Sequence, residues 1–170
     1  MEEKKKDGFT LIELLVVIAI VVLTFYIVYP IVHHGPCGSP RVACAWTIHS
    51  IQMETTIFNQ ENEVWPNDNN WCDLLKPYIG ENEKFWTCPS SKTGPCSYAM
   101  NENIPADANE LPGDLVLLFE SAPGWNQVGG ADDVVTDRHG KPGANIAFAD
   151  GHVEFVNAED IPILRWTVDE

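Results

Sequence analysis

The longest apolar run of the chain lies close to its N-terminus. No side chain in residues 14–32 is charged, and the run follows three lysines at positions 4–6. As a helix these residues would span roughly 28 Å, which is about the hydrocarbon thickness of a bilayer. We therefore predict a transmembrane helix over residues 9–34. Lysines before the span place the N-terminus in the cytoplasm and the rest of the chain outside.

A second helical pattern begins after a stretch rich in glycine and proline. Residues 35–40 should interrupt the first helix, and Ser39 as N-cap with Pro40 at the first helical position should start another. From there to about residue 60, apolar or small side chains recur at spacings of three and four. This spacing predicts an amphipathic helix with one buried stripe. The members of the stripe are Cys44, Ile48, Ile51, Thr55 and Phe58.

Strand patterns occur only in the second half of the chain. Residues 115–119 form a short apolar run that predicts a buried strand. Residues 145–149 and 152–156 flank Asp150-Gly151, a two-residue turn type that predicts a hairpin. Residues 163–168 are expected to form a last strand. The fold class is therefore α+β, with a helix packed on a small antiparallel sheet.

The region between helix and strands alternates aromatic residues with Pro and Asn turns. This pattern is typical of a loop-rich segment that is pinned onto a helix by its aromatic side chains. We expect packing in the core or at its edge for Trp65, Trp71 and Trp86. Exposed tryptophans that bind sugars are the alternative.

Charge and cysteine content narrow the function classes. The chain has 25 acidic and 10 basic side chains and a formal net charge of -15, which repels phosphate backbones and argues against nucleic-acid binding. Five cysteines are many for a cytosolic domain of this size, whereas they suit an exported one in which thiols oxidise. The charge and the cysteines both favour an extracytoplasmic body.

The start of the apolar run carries a specific motif. Residues 8–13 read Gly-Phe-Thr-Leu-Ile-Glu, and no small-residue cleavage site follows the run, so an ordinary secretory signal is disfavoured. A simple membrane anchor is the plain alternative. The motif resembles the cleavage and methylation site of type IV prepilins and type II secretion pseudopilins. The resemblance implies that a prepilin peptidase cuts after Gly8 and methylates Phe9, and Pro30 stands where these proteins often have a kinking proline.

Glu13 supports the same reading on physical grounds. A carboxylate near one end of an apolar span costs up to about 2.5 to 3.5 kcal/mol, and such residues usually have a partner and a function. The amine that cleavage frees at Phe9 lies one helical turn away. It is able to pair with Glu13 of its own chain or of a neighbour, and we favour the neighbour because that pairing would set the axial stagger of subunits. The predicted segments are a removed leader (residues 1–8), an assembly helix (9–34) and a pilin-like body (35–170).

The body resembles one large prepilin-like branch, whose members end with a histidine followed at a fixed distance by Asp-Gly. Here His139 and Asp150-Gly151 are separated by ten residues, where the branch usually has nine. The order of motifs from Cys44 to Asn101 is similar too. No Gly-x-Ser-x-Gly or His-Glu-x-x-His motif is present, so we do not expect an enzyme.

Disulfides are favoured over zinc because the sequence has no Cys-x-x-Cys pair. The branch resemblance implies a pair between Cys44 and Cys88. Cys72 with Cys96 is then the next bridge and Cys37 is left over, although Cys88 with Cys96 stays an alternative.

An acidic loop is the candidate metal site that the sequence favours. Asp132, Asp133 and Asp137 follow two glycines, and several secretion pseudopilins stabilise a comparable loop with calcium. A solvated acidic loop is the alternative, because the spacing does not fit an EF-hand. No other cofactor is expected.

The combined expectation is a structural subunit of a type IV pilus-like filament or a type II secretion pseudopilus. Its partners would be the prepilin peptidase, other pilin or pseudopilin subunits and inner-membrane lipid, with no nucleic acid. It would cross the inner membrane once, with a periplasmic body. The alternative is a membrane-tethered binding module, for example for glycans, that never polymerises.

Overall fold

The chain divides into two units, Met1–Gly38 and Ser39–Glu170. The computed structural model describes residues 11–33, 39–66, 69–80, 83–91, 94–108 and 110–169. The leader at residues 1–8 and most of the predicted break at 35–40 therefore lie outside the described residues. Each unit is considered by itself below.

In the N-terminal unit the described residues form helix α1, which covers Leu11–His33. All of its side chains that are described, at residues 11–26, are exposed. The hydroxyl of Thr24 donates a hydrogen bond to the carbonyl oxygen of Ile20 at 2.6 Å. Across the described part of the chain, no helix meets both the length and the apolarity that a membrane crossing requires. A helix is thus confirmed here, and the transmembrane span predicted for residues 9–34 is not.

The body starts with helix α2, Pro40–Asn62, which confirms the predicted amphipathic helix. Ser39 occupies the N-cap position, although its side chain makes no capping hydrogen bond. The helix ends at Glu63, whose backbone is left-handed and whose N–H donates to the carbonyl oxygen of Asn59 at 2.8 Å. The predicted stripe is buried along its whole length, namely Cys44, Ile48, Ile51, Thr55 and Phe58.

A further helix, α3, covers Trp71–Ile79 and was not predicted. Its N-cap residue, Asn70, makes no side-chain capping bond. The side-chain oxygen of Asn126 accepts the backbone N–H groups of Cys72 and Asp73 instead, at 2.8 and 3.3 Å. Asn70 at the N-cap position and Asp73 in the first turn are start signals that sequence analysis did not use, and the capping bonds themselves come from a distant loop.

The strands form one five-stranded sheet of order β3-β1-β2-β4-β5. Neighbours pair antiparallel except β1 and β3, which are parallel. The predicted antiparallel sheet is therefore wrong at one edge, where a two-residue strand makes the sheet mixed. The strands are β1 Tyr98–Asn101, β2 Val116–Glu120, β3 Val128–Gly129, β4 Gly143–Phe148 and β5 Val153–Asn157.

Two strand predictions are confirmed and one is wrong. Strand β2 and the β4–β5 hairpin form as expected, with Gly151 at φ 99° in the turn. Residues 163–168 do not form a strand. A short 3-10 turn covers Ile161–Ile163, and only an isolated bridge joins Arg165 to Leu115. Trp166 lies against a sheet face, where its ring packs edge-on to Phe119 at 5.3 Å, whereas Ile163 is exposed.

The sheet has a buried cluster on each side. One cluster contains the buried side chains of α2 and α3 and the aromatic residues that flank α3. The other contains the buried side chains of the C-terminal turn. Trp65, Trp71 and Trp86 belong to the first cluster and are 7%, 0% and 2% exposed, which confirms the predicted packing. The sheet is thus covered on both sides, which places the β2 strand at the centre of the body.

Gly143, at the start of β4, is expected to be intolerant of alanine. A Cβ there would lie 2.4 Å from the carbonyl oxygen of Val156 on the paired strand. Gly140 is the matched control, since it also has a positive φ, +75°, but open space around its Cβ position. We expect Gly143→Ala to lower the free energy of unfolding by about 1–3 kcal/mol more than Gly140→Ala, measured by urea denaturation. Equal losses in the two variants would contradict the contact.

Candidate functional site

A buried acid–base pair lies at the end of strand β2. Glu120 is the last residue of an otherwise apolar strand, and His139 comes from the segment that precedes β4. The Nε2 atom of His139 is 2.8 and 2.9 Å from the two carboxylate oxygens of Glu120. Both side chains are 0% exposed. Because an ionisable group is costly to bury without a partner, this pair depends on its mutual contact.

Asn145 completes the hydrogen bonding of the Glu120 carboxylate. Its backbone N–H donates to Oε2 at 3.2 Å, and its side-chain amide donates to Oε1 at 3.0 Å. The same amide also donates to the backbone carbonyl of Arg41 at 3.2 Å. Through these bonds the pair connects β2 and β4 with the first turn of α2.

Arg138 supplies positive charge beside the pair. Its guanidinium donates to the carbonyl oxygens of Ser97, at 2.9 Å, and Ser121. Burial lowers the pKa of Arg138, and the carboxylate of Glu120 opposes that shift. Burial also raises the pKa of Tyr98, whose hydroxyl lies 3.5 Å from the carbonyl oxygen of Cys44. The surroundings of Glu120 are therefore polar but closed to solvent.

A disulfide between Cys44 and Cys88 lies against the pair, as the branch resemblance implied. Cys44 is on α2, and Cys88 is on the loop that also carries Ser90, whose hydroxyl is 3.5 Å from Nδ1 of His139. The two sulfurs, a carboxylate oxygen of Glu120 and a ring nitrogen of His139 all lie within 4.8 Å of one another. Sequence reasoning missed this cluster because its members come from four separate segments.

The remaining described cysteines, Cys72 and Cys96, are buried free thiols that contact each other, so the structure does not contain the predicted bridge between them. Burial raises the pKa of Cys72, whereas a hydrogen bond from Cys72 lowers that of Cys96. The alternative bridge between Cys88 and Cys96 is wrong, because Cys88 is bonded to Cys44. Cys37 lies outside the described residues.

Because the two thiols are in contact, we expect Cys72 and Cys96 to form a second disulfide when the folded chain meets an oxidant. A disulfide-bearing oxidant would accept two electrons and two protons from the thiols as the new bond forms. Peptide mass spectrometry after alkylation under denaturing conditions should then find the two cysteines linked. In Cys72→Ser, Cys96 should be alkylated while Cys44 and Cys88 stay linked. Alkylation of both thiols in the oxidised parent chain would refute this bridge.

The structure places His139 and Asp150-Gly151 in different surroundings. His139 is part of the buried pair, whereas Asp150 lies in the exposed hairpin turn. The backbone N–H of His152 donates to Asp150 at 3.0 Å and holds the pKa of that carboxyl below its usual range. The Nδ1 atom of His152 lies 2.5 Å from the same oxygen. Asp150-Gly151 thus has a turn-forming role that explains its residue types.

The three aspartates that were predicted to bind calcium are exposed. Asp133 accepts the backbone N–H of Gly130 at 3.0 Å. Among the described residues, the donor group close enough to hold a metal contains neither Asp132, Asp133 nor Asp137. Calcium binding by this loop stays a prediction.

The predicted N-terminal site is described only in part. Gly8 and Phe9 lie outside the described residues. Glu13 lies in the first turn of α1, and Pro30 lies within the same helix, close to its end. The assembly roles of both stay predictions.

Comparison with known proteins bears on this N-terminal segment. Residues 4–25 match the family model of the prokaryotic N-terminal methylation motif. No curated protein and no solved structure matches the chain. The match includes Gly8, Phe9 and Glu13. The chain therefore carries the prepilin-type cleavage and methylation signal of type IV pilin-like and pseudopilin-like proteins.

Proposed function

We propose that this protein is a structural filament subunit of the prepilin class. A prepilin peptidase cuts it after Gly8 and methylates Phe9, and the processed chain assembles into a type IV pilus-like filament or a type II secretion pseudopilus. The single observation that carries the proposal is the methylation motif at residues 4–25, which is the substrate signal for that peptidase. The motif covers the N-terminal segment alone, so the assembly step is our extension.

The apolar surface of α1 supports the proposal that lipid or other subunits cover this helix. Its described side chains, at residues 11–26, are almost all apolar, and all are exposed in the isolated chain. A helix that is apolar on every side is stable only when lipid or protein covers it. In the proposal, inner-membrane lipid covers α1 before assembly, and neighbouring subunits cover it afterwards.

Glu13 gives the assembly a specific contact. It is the one acidic residue in the first turn of α1. Cleavage after Gly8 would create a positive amine at Phe9, which pairs with Glu13 of a neighbouring subunit. A buried pair of this kind has a defined geometry and therefore fixes the stagger of adjacent helices.

The body serves as a rigid extracytoplasmic head, and we propose no catalytic activity for it. The His139–Glu120 pair has the residue types of a general acid–base site, but both side chains are 0% exposed and no substrate reaches them. The glycan-binding alternative has no support from Trp65, Trp71 and Trp86, since all three are buried.

Intact mass spectrometry of the membrane-extracted protein tests processing. We expect a chain that lacks residues 1–8 and carries one added methyl group. Gly8→Val should leave the leader in place, because a branched side chain at the cleavage position blocks the peptidase. Gly35→Val is the matched control outside the motif and should be processed normally. A native chain that still begins at Met1, or that lacks the whole apolar run, would refute the proposal.

Filament formation is tested separately with Glu13→Ala. This variant should be cleaved and inserted but should give no filaments on electron micrographs, because the amine at Phe9 loses its partner. Glu54→Ala, which removes a carboxylate from α2, should still form filaments. A parent chain that is processed yet stays monomeric at native expression would favour the tethered binding module instead.

A further inference from the structure

We propose that the reduced chain binds one zinc ion through Cys44, Cys88, Glu120 and His139. The Cys44–Cys88 disulfide is then the metal-free state of the same site. This inference does not depend on filament assembly, because it concerns only the body.

The residue types and their positions fit zinc. Zinc in proteins is usually held by four ligands in a tetrahedron, drawn from cysteine sulfur, histidine nitrogen and carboxylate oxygen. Bonds of about 2.0–2.3 Å place neighbouring ligand atoms roughly 3.3–3.8 Å apart. The four donor atoms here lie within 4.8 Å of one another. Once the disulfide is reduced its sulfurs can separate, so side-chain adjustment can bring the four donors to zinc distances.

The donors are already held in place by the surrounding groups. Asn145 donates to both oxygens of Glu120, and the hydroxyl of Ser90 lies 3.5 Å from Nδ1 of His139. Partners of this kind fix the orientation of metal ligands and the tautomer of a histidine. With Nδ1 facing Ser90, the Nε2 atom of His139 faces the cluster and is the nitrogen that binds zinc.

Charge is close to balanced in both states of the site. With the disulfide closed, the carboxylate of Glu120 contacts Nε2 of His139 and accepts a hydrogen bond from the amide of Asn145. With zinc bound, two thiolates, one carboxylate and a neutral imidazole leave one net negative charge around the ion. The guanidinium of Arg138 interacts with Glu120 and lies nearby to offset that charge. Without a positive group nearby, the net negative charge of the zinc-bound site would be buried without compensation and would destabilise the body.

The chemistry of the exchange is a reduction followed by metal binding. A dithiol reductant transfers two electrons and two protons to the Cys44–Cys88 disulfide and becomes a disulfide itself. Zinc then displaces the two thiol protons, and any proton on Nε2 of His139, into solvent. In the reverse direction a disulfide-bearing oxidant accepts two electrons from the two thiolates, the Cys44–Cys88 bond forms again, and the zinc ion is released.

Zinc content of the full chain in detergent tests the proposal. One sample is kept oxidised, and a second is reduced with dithiothreitol and exchanged without oxygen into buffer that contains zinc. After desalting, plasma mass spectrometry should find about one zinc per reduced chain and less than a tenth of that in the oxidised chain. Cobalt in place of zinc should give the visible absorption of a tetrahedral thiolate site.

Matched variants distinguish this site from the other thiol pair. Cys72→Ser with Cys96→Ser should keep the zinc, whereas Cys44→Ser with Cys88→Ser should lose it. His139→Ala should also reduce zinc retention at least tenfold, because a tetrahedral ligand is removed. Near-ultraviolet circular dichroism reports the fold in each sample, and zinc should restore the signal if reduction weakens it. A reduced chain that retains no zinc, or zinc that follows Cys72 and Cys96, would overturn the proposal.

Discussion

Replacing Glu120 with alanine should lower the free energy of unfolding by about 3–5 kcal/mol. Removal of the carboxylate leaves two buried polar groups without their acceptor, at a cost of about 1–3 kcal/mol each, and leaves a cavity where the side chain was. Without the carboxylate, His139 and the amide of Asn145 would both lose a hydrogen-bond partner. Their contacts with Glu120 are 2.8–3.2 Å long. Urea denaturation followed by tryptophan fluorescence measures the effect, because the buried tryptophans report the core.

An exposed carboxylate serves as the control for Glu120. Glu159 is on the surface of the C-terminal segment, and Glu159→Ala should change the free energy of unfolding by less than about 0.5 kcal/mol. A loss at Glu120 as small as this would mean that water enters the pair and that its burial is not maintained.

Removal of the Cys44–Cys88 disulfide should cost about 4 kcal/mol. The bridge joins residues that are 44 apart in sequence, and the entropy of closing such a loop in the unfolded chain gives this value. The double variant Cys44→Ser with Cys88→Ser removes the bridge without leaving a reactive thiol. Urea denaturation with a zinc chelator present should show the loss, so that metal binding does not mask it.

A reductant provides the internal control for the disulfide. In a chain with Cys72→Ser and Cys96→Ser, which cannot form the second bridge, dithiothreitol should cost about the same 4 kcal/mol. It should leave the same chain unchanged once Cys44→Ser and Cys88→Ser are added. If the urea midpoint of unfolding is the same with and without the reductant, the bridge is absent or adds nothing to stability.

The elements that sequence analysis identified have local and periodic signals. Helix α2 was predictable because its buried residues repeat with helical spacing, and the β4–β5 hairpin because Asp150-Gly151 favours a tight turn. The missed elements are short, and contacts from elsewhere in the chain stabilise them. Helix α3 is capped by Asn126 from a distant loop, and the short strand β1 is stabilised by pairing on both sides.

The candidate site was predictable only in its separate parts. Cys44, Cys88 and His139 were each noted, and the disulfide was implied by a family resemblance. Glu120 was missed, although an acid at the end of a fully apolar run is an available signal, because a carboxylate in that place needs a buried partner. What sequence cannot provide is the convergence of four segments, since that depends on the strand order of the sheet.

One hydrogen bond and one disulfide near the start of α2 also determine how the body would respond to mechanical load. Tension applied through Ser39 would first reach the bond between Asn145 and the Arg41 carbonyl, and then the Cys44–Cys88 bridge. Both attachments lie within the first two turns of α2, so the force would pass into the central strands and the aromatic loop instead of peeling the helix away residue by residue. A head anchored in this way should extend little before it ruptures, which suits a part that is pushed or pulled from one end.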